Sequence, residues 1–289
     1  MEIVSTAADW RAALDDARRH GRQVGFVPTM GALHAGHATL IDAARSEVEM
    51  VTASVFVNPL QFGALADLTA YPRTLDADGA LLKAHGCDLL FAPSVAEMYP
   101  HHPEPEATTV HVTGPALGFE GSDRPGHFDG MATVVTLLFN LAGPCRAYFG
   151  EKDFQQLAVV RQMVADLGQP VVVVGCPTAR ESDGLAMSSR NVRLSAAGRA
   201  AAPVLHAALL AGAEAATRGA GGRDIEAAMA ARVASEPAAN LFYAAAVDPT
   251  SLTIVEDPAV GSPLRLLIAA EIDGVRLIDN LAAISGPCG

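Results

Sequence analysis

The sequence predicts a parallel-sheet α/β domain followed by a smaller α+β domain with an antiparallel sheet, and three observations carry that prediction. Strand-like apolar runs alternate with helical spacing as far as about residue 177, the order of a parallel sheet with crossover helices. Within that stretch, Pro170 to Gly175 holds four consecutive valines, the mark of a strand covered on both faces. After Arg190 the texture changes, and alanine-rich helical segments lead to two apolar runs, Leu264 to Ile272 and Val275 to Ile278, joined by Asp273-Gly274, a good hairpin turn. The boundary is placed at residue 178, giving domains 1–178 and 179–289.

Residues 7 to 20 have amphipathic helical spacing closed by Gly21. Gln23 to Val27 reads as a short buried strand, and Ala38 to Ala44 has helical spacing. Met50 to Val57 is rich in β-branched residues and stops at Asn58-Pro59, so strand, helix and strand make one βαβ unit with a right-handed crossover. A helix from about Ala77 to His85, closed by Gly86, leads to a third strand, Asp88 to Ala92. Residues 99 to 128 are rich in proline, glycine and histidine and read as a long connection with one short strand, Thr108 to Val112. Ordered loops of that length tend to be functional or mobile. Ala132 to Leu141 suits a buried helix, Arg146 to Phe149 a strand, and Gln155 to Leu167 a helix closed by Gly168. Residues 195 to 217 read as one alanine-rich helix, Gly219 to Arg223 as a break, and about Asp224 to Ser235 as a further helix. Leu241 to Val247 and Ser251 to Val255 supply the remaining strand-like runs.

A chain of 289 residues, half of them hydrophobic and 18% charged, has material for a real core. The net charge of −12 argues against general nucleic-acid binding, which needs a basic face, yet leaves room for a local basic pocket. Cys87, Cys145, Cys176 and Cys288 are scattered without C-x-x-C spacing and read as reduced thiols of a cytosolic protein. The start, Met1-Glu-Ile-Val-Ser, has no secretory pattern, and no apolar run approaches the length of a bilayer span. The expectation is a soluble, cytoplasmic protein.

Four clusters could carry chemistry. Phe26 to His37 leaves an apolar run, passes a glycine and sets His34 and His37 three residues apart around Gly36. On the first turn of a helix the two rings share a face beside exposed backbone N–H groups, a ready anion site. As core histidines they would be ordinary. As metal ligands they would need a third, and His101 and His102 show no recognised spacing for it. Phosphate donors are the favoured reading, with Gly36 leaving room for a nucleotide. Tyr148 to Asp153, then Gln155 and Gln156, follows a strand at the carboxyl edge of the sheet, where ligands of open α/β folds bind. Asp183 to Asn191 offers two hydroxyls and a guanidinium suited to polyphosphate oxygens. Asn58 to Gly63 offers amides for a hydroxyl or carboxylate, with Arg124 and His127 in the long loop. Each cluster alone also fits a helix start, a turn or a surface loop.

Taken together and in order, Pro28-Thr-Met-Gly-Ala-Leu-His-x-Gly-His37, Phe56-Val-Asn-Pro-Leu-Gln-Phe62, Tyr71-Pro-Arg-Thr74, Arg124-Pro-Gly-His-Phe128, Phe149-Gly-Glu-Lys-Asp153, Gln155-Gln156, Gly184-Leu-Ala-Met-Ser-Ser-Arg-Asn191 and Ile278-Asp-Asn280 resemble the pantoate–β-alanine ligase (pantothenate synthetase) family. His-x-Gly-His alone is shared by the wider nucleotidyltransferase superfamily. The resemblance implies a Rossmann-like nucleotidyltransferase domain and a smaller C-terminal domain closing over the site. It implies ATP-dependent joining of pantoate to β-alanine through pantoyl adenylate, with AMP and pyrophosphate released. By the same resemblance Met30, Gly31, Ala32, Leu33, His34, Ala35, Gly36 and His37 cradle ATP, and His37 is the leading proton donor. Gly150, Glu151, Lys152 and Asp153 meet the ribose and phosphates, while Met187, Ser188, Ser189 and Arg190 close over the phosphates. The catalytic set is His34, His37, Lys152, Ser188, Ser189 and Arg190. Ala179 contacts adenine through its backbone. Gln61 and Gln156 hold pantoate, with Gln61 also near β-alanine, and Asn58, His127 and Pro28 line the same pocket. A homodimer and magnesium with ATP are further implications. One departure is that Asp76 and Asp78 are separated by Ala77 where some relatives carry adjacent metal-holding acids, which leaves direct metal binding open. The competing readings are a nucleotidyltransferase acting on another small acceptor and a catalytically silent nucleotide-binding protein.

Overall fold

Every strand of the larger sheet is joined to the next by a crossover, and the sheet is accordingly parallel throughout. The structure, a computed structural model, describes residues 1–63, 65–102 and 108–287, with the backbone alone at 65–67. Its elements are β1 (Glu2–Val4), α1 (Ala7–Arg19), β2 (Val24–Thr29), α2 (Ala35–Glu47), β3 (Met50–Val55), α3 (Leu65–Ala70), α4 (Leu75–Ala84), β4 (Leu89–Phe91), α5 (Val95–Met98), α6 (Phe119–Asp123), α7 (His127–Ala142), β5 (Cys145–Gly150), α8 (Phe154–Asp166) and β6 (Val171–Cys176). There follow α9 (Ala196–Ala201), α10 (Val204–Thr217), α11 (Gly222–Ala234), β7 (Ala239–Val247), β8 (Pro263–Ile272) and β9 (Val275–Ile284). The chain forms two compact units, one of Met1–Gly150 with Val159–Cys176, the other of Glu151–Ala158 with the residues from Pro177 onward.

In the first unit the strand order is β1-β4-β3-β2-β5-β6. The order reverses at β2, which has β3 on one side and β5 on the other, so the carboxyl end of β2 is the switch point where open α/β sheets take ligands. Successive residues of β2 face opposite layers. Phe26 packs tilted against Trp10, with ring centroids 5.2 Å apart, and edge-on to Phe139. Val27 joins Ile41, Ala44, Leu82 and Tyr148 on the other face. Trp10 is fully buried, stacks on Phe91 at 4.5 Å and donates from Nε1 to Thr52 Oγ1 at 2.9 Å, so its polar edge is satisfied.

Three expectations for this unit are corrected, and one element is added. The valine strand β6 pairs only with β5 and ends the strand order; Val172 is 54% exposed, so β6 is not covered on both faces. Thr108 to Val112 forms no strand, because the Val110 N–H goes to Thr133 Oγ1 (2.9 Å) and not to a ladder. Helix α7 starts at His127, after Gly126 at φ +77°, so His127 is a helical residue and not part of a loop. β1 is an added edge strand, three residues long and paired with β4. Residues 103–107 of the long connection, and Cys288, lie outside the described residues. Cys87, Cys145 and Cys176 are buried and form no disulfide.

The second unit is built on the antiparallel sheet β7-β8-β9. Asp273 (φ 57°) and Gly274 (φ 71°) make the two-residue turn between the paired Ile272 and Val275. Leu209, Ala216, Ile225 and Met229 of α10 and α11 pack with Leu266 and Ile268 of β8. The single helix expected over 195 to 217 is two, broken at Ala202-Pro203, where proline cannot continue the backbone ladder. The stretch Ala196–Thr217 is long and apolar enough to cross a membrane by length and composition, but the break divides it and half of it is buried in the structure. Ser251 to Val255 contributes one bridge, Val247 to Ile254, since the N–H groups of Thr250 and Ser251 turn onto Asp248 Oδ1 instead (2.9 and 2.8 Å).

Candidate active site

The loop leaving β2 is shaped by Asp78 at the start of α4. Gly31 (φ 84°) and Ala32 (φ 52°) turn the chain left-handed, and the N–H groups of Ala32 and Leu33 donate to Asp78 Oδ2 (3.1 Å) and Oδ1 (2.8 Å). Thr74 Oγ1 lies 3.2 Å from both oxygens. A side chain at position 31 would bring its Cβ within 2.9 Å of Asp78 Oδ2, so glycine is required there.

His34 is then the N-cap of α2, and the two histidines cap each other. The Gly36 N–H donates to His34 Nδ1 (3.1 Å), and the His34 N–H donates to His37 Nδ1 (3.3 Å). An Nδ1 that accepts is unprotonated, so in the neutral rings both protons are assigned to Nε2. The backbone N–H groups of His34 and Gly36 are satisfied by the rings and that of His37 bonds the His34 carbonyl at 2.8 Å, so these three of the groups expected to face an anion are engaged within the protein. The ring centroids are 4.2 Å apart.

Asn58 and Gln61 form a second, buried part of the first unit. Asn58 is 1% exposed, and its Oδ1 accepts from the Leu60 N–H (3.3 Å) and the Tyr99 hydroxyl (2.8 Å). Its Nδ2 donates to the Gly130 carbonyl and to Gln61 Oε1, both at 3.0 Å. Every hydrogen-bonding position of Asn58 is thus spent on protein, and its work is to orient Gln61. With Oε1 held, Gln61 turns Nε2 toward Met30 Sδ, 2.7 Å away. A thioether is a weak acceptor, so this N–H is only weakly satisfied within the protein. His127 Nδ1 donates to the Gln61 carbonyl (3.1 Å), and its Nε2 accepts from Arg124 (3.1 Å). Gly130 lets α7 close on this turn, since a Cβ there would lie 2.2 Å from the Leu60 carbonyl oxygen.

In the second unit Lys152, Ser188 and Arg190 line one cavity, together with Asn191, Arg276 and Asp279, which the sequence did not single out as ligands. Lys152 lies on a short 3-10 turn before α8 and pairs with Asp153 at 3.2 Å. The segment to Met187 is a hairpin, with Arg180 bridged to Ala186 and the Met187 N–H on the Ala179 carbonyl (2.9 Å). Ser188 caps the following 3-10 turn by accepting the Arg190 N–H at 3.2 Å, which leaves its hydroxyl proton to donate. Ser189 and Asp153 are exposed, and neither lines the cavity. Gln155 is buried and Gln156 half-buried on the first turn of α8. Pro28, at the end of β2, is half-buried.

The described residues contain no group of three or more histidine, cysteine or acidic side chains suited to a metal ion. Asp78, the acid that the Tyr71-Pro-Arg-Thr74 motif would offer a metal, has both oxygens engaged by the β2 loop and Thr74. Among the described residues, Asp78 is thus committed to shaping the β2 loop.

Comparison with known proteins supplies the family. The family model for pantoate-beta-alanine ligase matches residues 2–282. A pantothenate synthetase of Thermus thermophilus is 55% identical over 97% of this chain and 99% of its own length, and that of Allorhizobium ampelinum is 49% identical over 97% and 96%. A crystal structure of the Thermus thermophilus enzyme superposes with a TM-score of 0.88 over 97% of this chain and 99% of that one. A Francisella tularensis pantoate-beta-alanine ligase, 31% identical and complexed with beta-gamma ATP and beta-alanine, superposes with a TM-score of 0.75, covering 97% of each chain. On sequence, coverage and fold alike, this chain belongs to the pantoate–β-alanine ligase family.

Proposed function

We propose that the residues above divide the family's reaction, the ATP-dependent joining of pantoate to β-alanine, between nucleotide phosphates and pantoate. In the first step a pantoate carboxylate oxygen attacks the α-phosphorus of ATP, the bond to the bridging oxygen breaks, and pyrophosphate leaves with the electron pair. In the second, the β-alanine amine attacks the acyl carbon of pantoyl adenylate, AMP leaves, and the nitrogen loses a proton. A carboxylate is a poor acyl donor until its oxygen becomes part of a leaving group, which is what the adenylate supplies.

Negative charge grows on the α-phosphate and pyrophosphate, so fixed donors aimed there supply the largest stabilising contribution. The mutual capping of His34 and His37 is the observation that carries this reading, because it fixes both imidazoles as Nε2–H donors on one helical turn. Lys152, Ser188 and Arg190 are assigned to the same phosphates, with Ser189 as an outer contributor. Met30 to Leu33, Ala35 and Gly36 are assigned to the nucleotide, Gly150, Glu151 and Asp153 to the ribose, and Met187 and Ala179 to the nucleotide base side. Gln61 and Gln156 are assigned to pantoate, with Pro28 in the same pocket and Asn58 and His127 holding Gln61 in place. ATP enters as its magnesium complex. The resemblance supports a homodimer working in the cytoplasm.

The test is exchange of labelled pyrophosphate into ATP. Exchange should require pantoate and no β-alanine, and β-alanine should then release AMP and pantothenate in equal amounts. Folded protein that exchanges without pantoate, or only with a phosphorylated acceptor, would overturn the assignment in favour of a nucleotidyltransferase.

A further inference from the structure

We propose that Asp279 and Asn280, neighbours on β9, are positioning residues that hold the two cation-bearing segments of the second unit, Glu151 to Asp153 and Gly184 to Arg190, for the nucleotide phosphates. The proposal rests on the assignment of Lys152 and Arg190 to those phosphates.

Asn280 is 3% exposed, and its amide is used on the Lys152 turn. Nδ2 donates to the carbonyls of Glu151 (2.8 Å) and Lys152 (2.9 Å), and Oδ1 accepts from Arg265 Nε at 2.7 Å. Two carbonyls can only accept and a guanidinium can only donate, so this amide has one orientation. Arg265 extends the hold on the same turn, with Nη2 2.9 Å from Glu151 Oε2 and the guanidinium 3.9 Å above the Phe154 ring. The turn preceding α8 is therefore fixed at its backbone, its acid and its first aromatic ring.

Asp279 holds the other segment. Its two oxygens receive Arg180 Nη1 and Nη2 at 2.6 and 2.9 Å, a bidentate pair, and Arg180 Nη1 also donates to the Gly184 carbonyl at 3.0 Å. Arg180 Nη2 reaches back to the Asn280 carbonyl at 3.3 Å, which closes the network. Asp279 is 4% exposed and Arg265 6%. A buried ionic group is costly to desolvate and is a weak source of stability compared with an apolar packing of the same volume. What a satisfied buried network supplies is a single geometry, and this one is spent on the segments bearing Lys152 and Ser188 to Arg190. Lys152, Ser188, Arg190 and Asp279 all line the same cavity.

The test is a double-mutant cycle on ATP affinity, measured by calorimetry, with the folded state of each variant checked by circular dichroism. Asn280→Ala should weaken ATP ~10-fold, the size expected for lost hydrogen bonds that fix a charged ligand group. Pantoate saturation should be unchanged. In a Lys152→Ala background the same substitution should change ATP affinity less than about 2-fold, because a residue acting through another is silent once that other is gone. If Asn280→Ala does not fold, Asn280→Asp, which keeps the volume and removes both donors, takes its place in the cycle. Equal effects in both backgrounds, or equal weakening of ATP and pantoate, would mark Asn280 as merely structural and overturn the proposal. A Lys152→Ala variant that binds ATP normally would remove the phosphate role of Lys152, and the positioning role with it, and that failure is visible in the single variant alone.

Discussion

Asn58 Nδ2 lies 3.0 Å from Gln61 Oε1, and neither amide can turn over, because Asn58 is held by an obligate donor, the Leu60 N–H, and an obligate acceptor, the Gly130 carbonyl. Gln61 therefore presents an N–H and not a carbonyl on its remaining side. Asn58→Asp puts a carboxylate in the same volume and should reverse the Gln61 amide. The prediction is a pantoate KM raised ~10-fold or more, in line with a lost hydrogen bond to a charged group. The ATP KM should stay the same. Initial rates at saturating ATP and β-alanine check it, and an unmoved pantoate KM would remove Gln61 from the pantoate pocket.

Gly130 is the point at which α7 touches the Asn58–Gln61 turn. Gly130→Ala would place a methyl 2.2 Å from the Leu60 carbonyl oxygen, so helix or turn must shift. The expected cost is about 1–3 kcal/mol of stability, the range for overpacking a tight contact. Pantoate binding should fall more than ATP binding. Thermal melts and separate titrations of the two substrates measure both, and a variant as stable as the parent would contradict the close approach.

His37 serves two ends, as the ring that accepts the His34 N–H and as an Nε2–H donor. His37→Ala is predicted to slow adenylate formation by ~10²–10³-fold, the range for removing a fixed donor to a developing oxyanion. It should cost about 1 kcal/mol of stability through the lost cap. His37→Asn, with a side-chain oxygen able to cap but no imidazole, should recover stability without rate. Single-turnover pantoyl adenylate formation and urea melts separate the two roles, and equal rates for parent and variant would end the transition-state role.

His206 gives the second unit a pH dependence. Burial of its ring, helped by the Arg180 charge and opposed by Asp279, pulls its pKa below the ordinary 6.5, and its Nδ1 has no hydrogen-bond partner. Well above pH 6.5, where the unfolded ring has also lost its proton, His206 contributes no slope. Below 6.5 the unfolded chain takes up a proton that the folded chain refuses, so stability falls as pH falls, until the lower folded pKa is passed. Urea melts across this window should show a smaller loss for His206→Gln than for the parent, and parallel losses would show that other groups set the slope.

The buried thiols should be silent. Burial raises Cys87 to about 11 and Cys145 to about 12, far from the thiolate that reacts. In a Cys288→Ser variant a disulfide-exchange reagent should titrate almost no thiol before unfolding and three afterwards. Rapid labelling of native protein would show that the core opens locally.

Local signals in the sequence proved dependable where one turn decides the outcome. Asp273-Gly274 dictated the β8–β9 hairpin, and the βαβ unit from β2 to β3 followed from a β-branched run stopped by Asn58-Pro59. The valines of β6 misled because composition carries no record of how many neighbours a strand has. Residue type pointed to His34 and His37, but their mutual capping depends on the extended backbone of His34 (φ −139°), which no spacing rule states. In the sequence Asp78 stands only as an acid whose metal binding is open. Its role appears only when a chain separation of 46 residues is closed onto the Ala32 N–H.

The bond from Asn280 to the Glu151 carbonyl spans 129 residues of sequence. Synthesis from the amino end makes Lys152 and the whole serine–arginine segment long before β9 exists. A chain halted just short of β9 would carry His34, His37, Lys152 and Arg190 in full, and would still lack the strand that sets the lysine turn. Completion of these four residues in sequence and their completion in space are thus separate events, and an unfinished chain has no means of holding Lys152 as the finished one does.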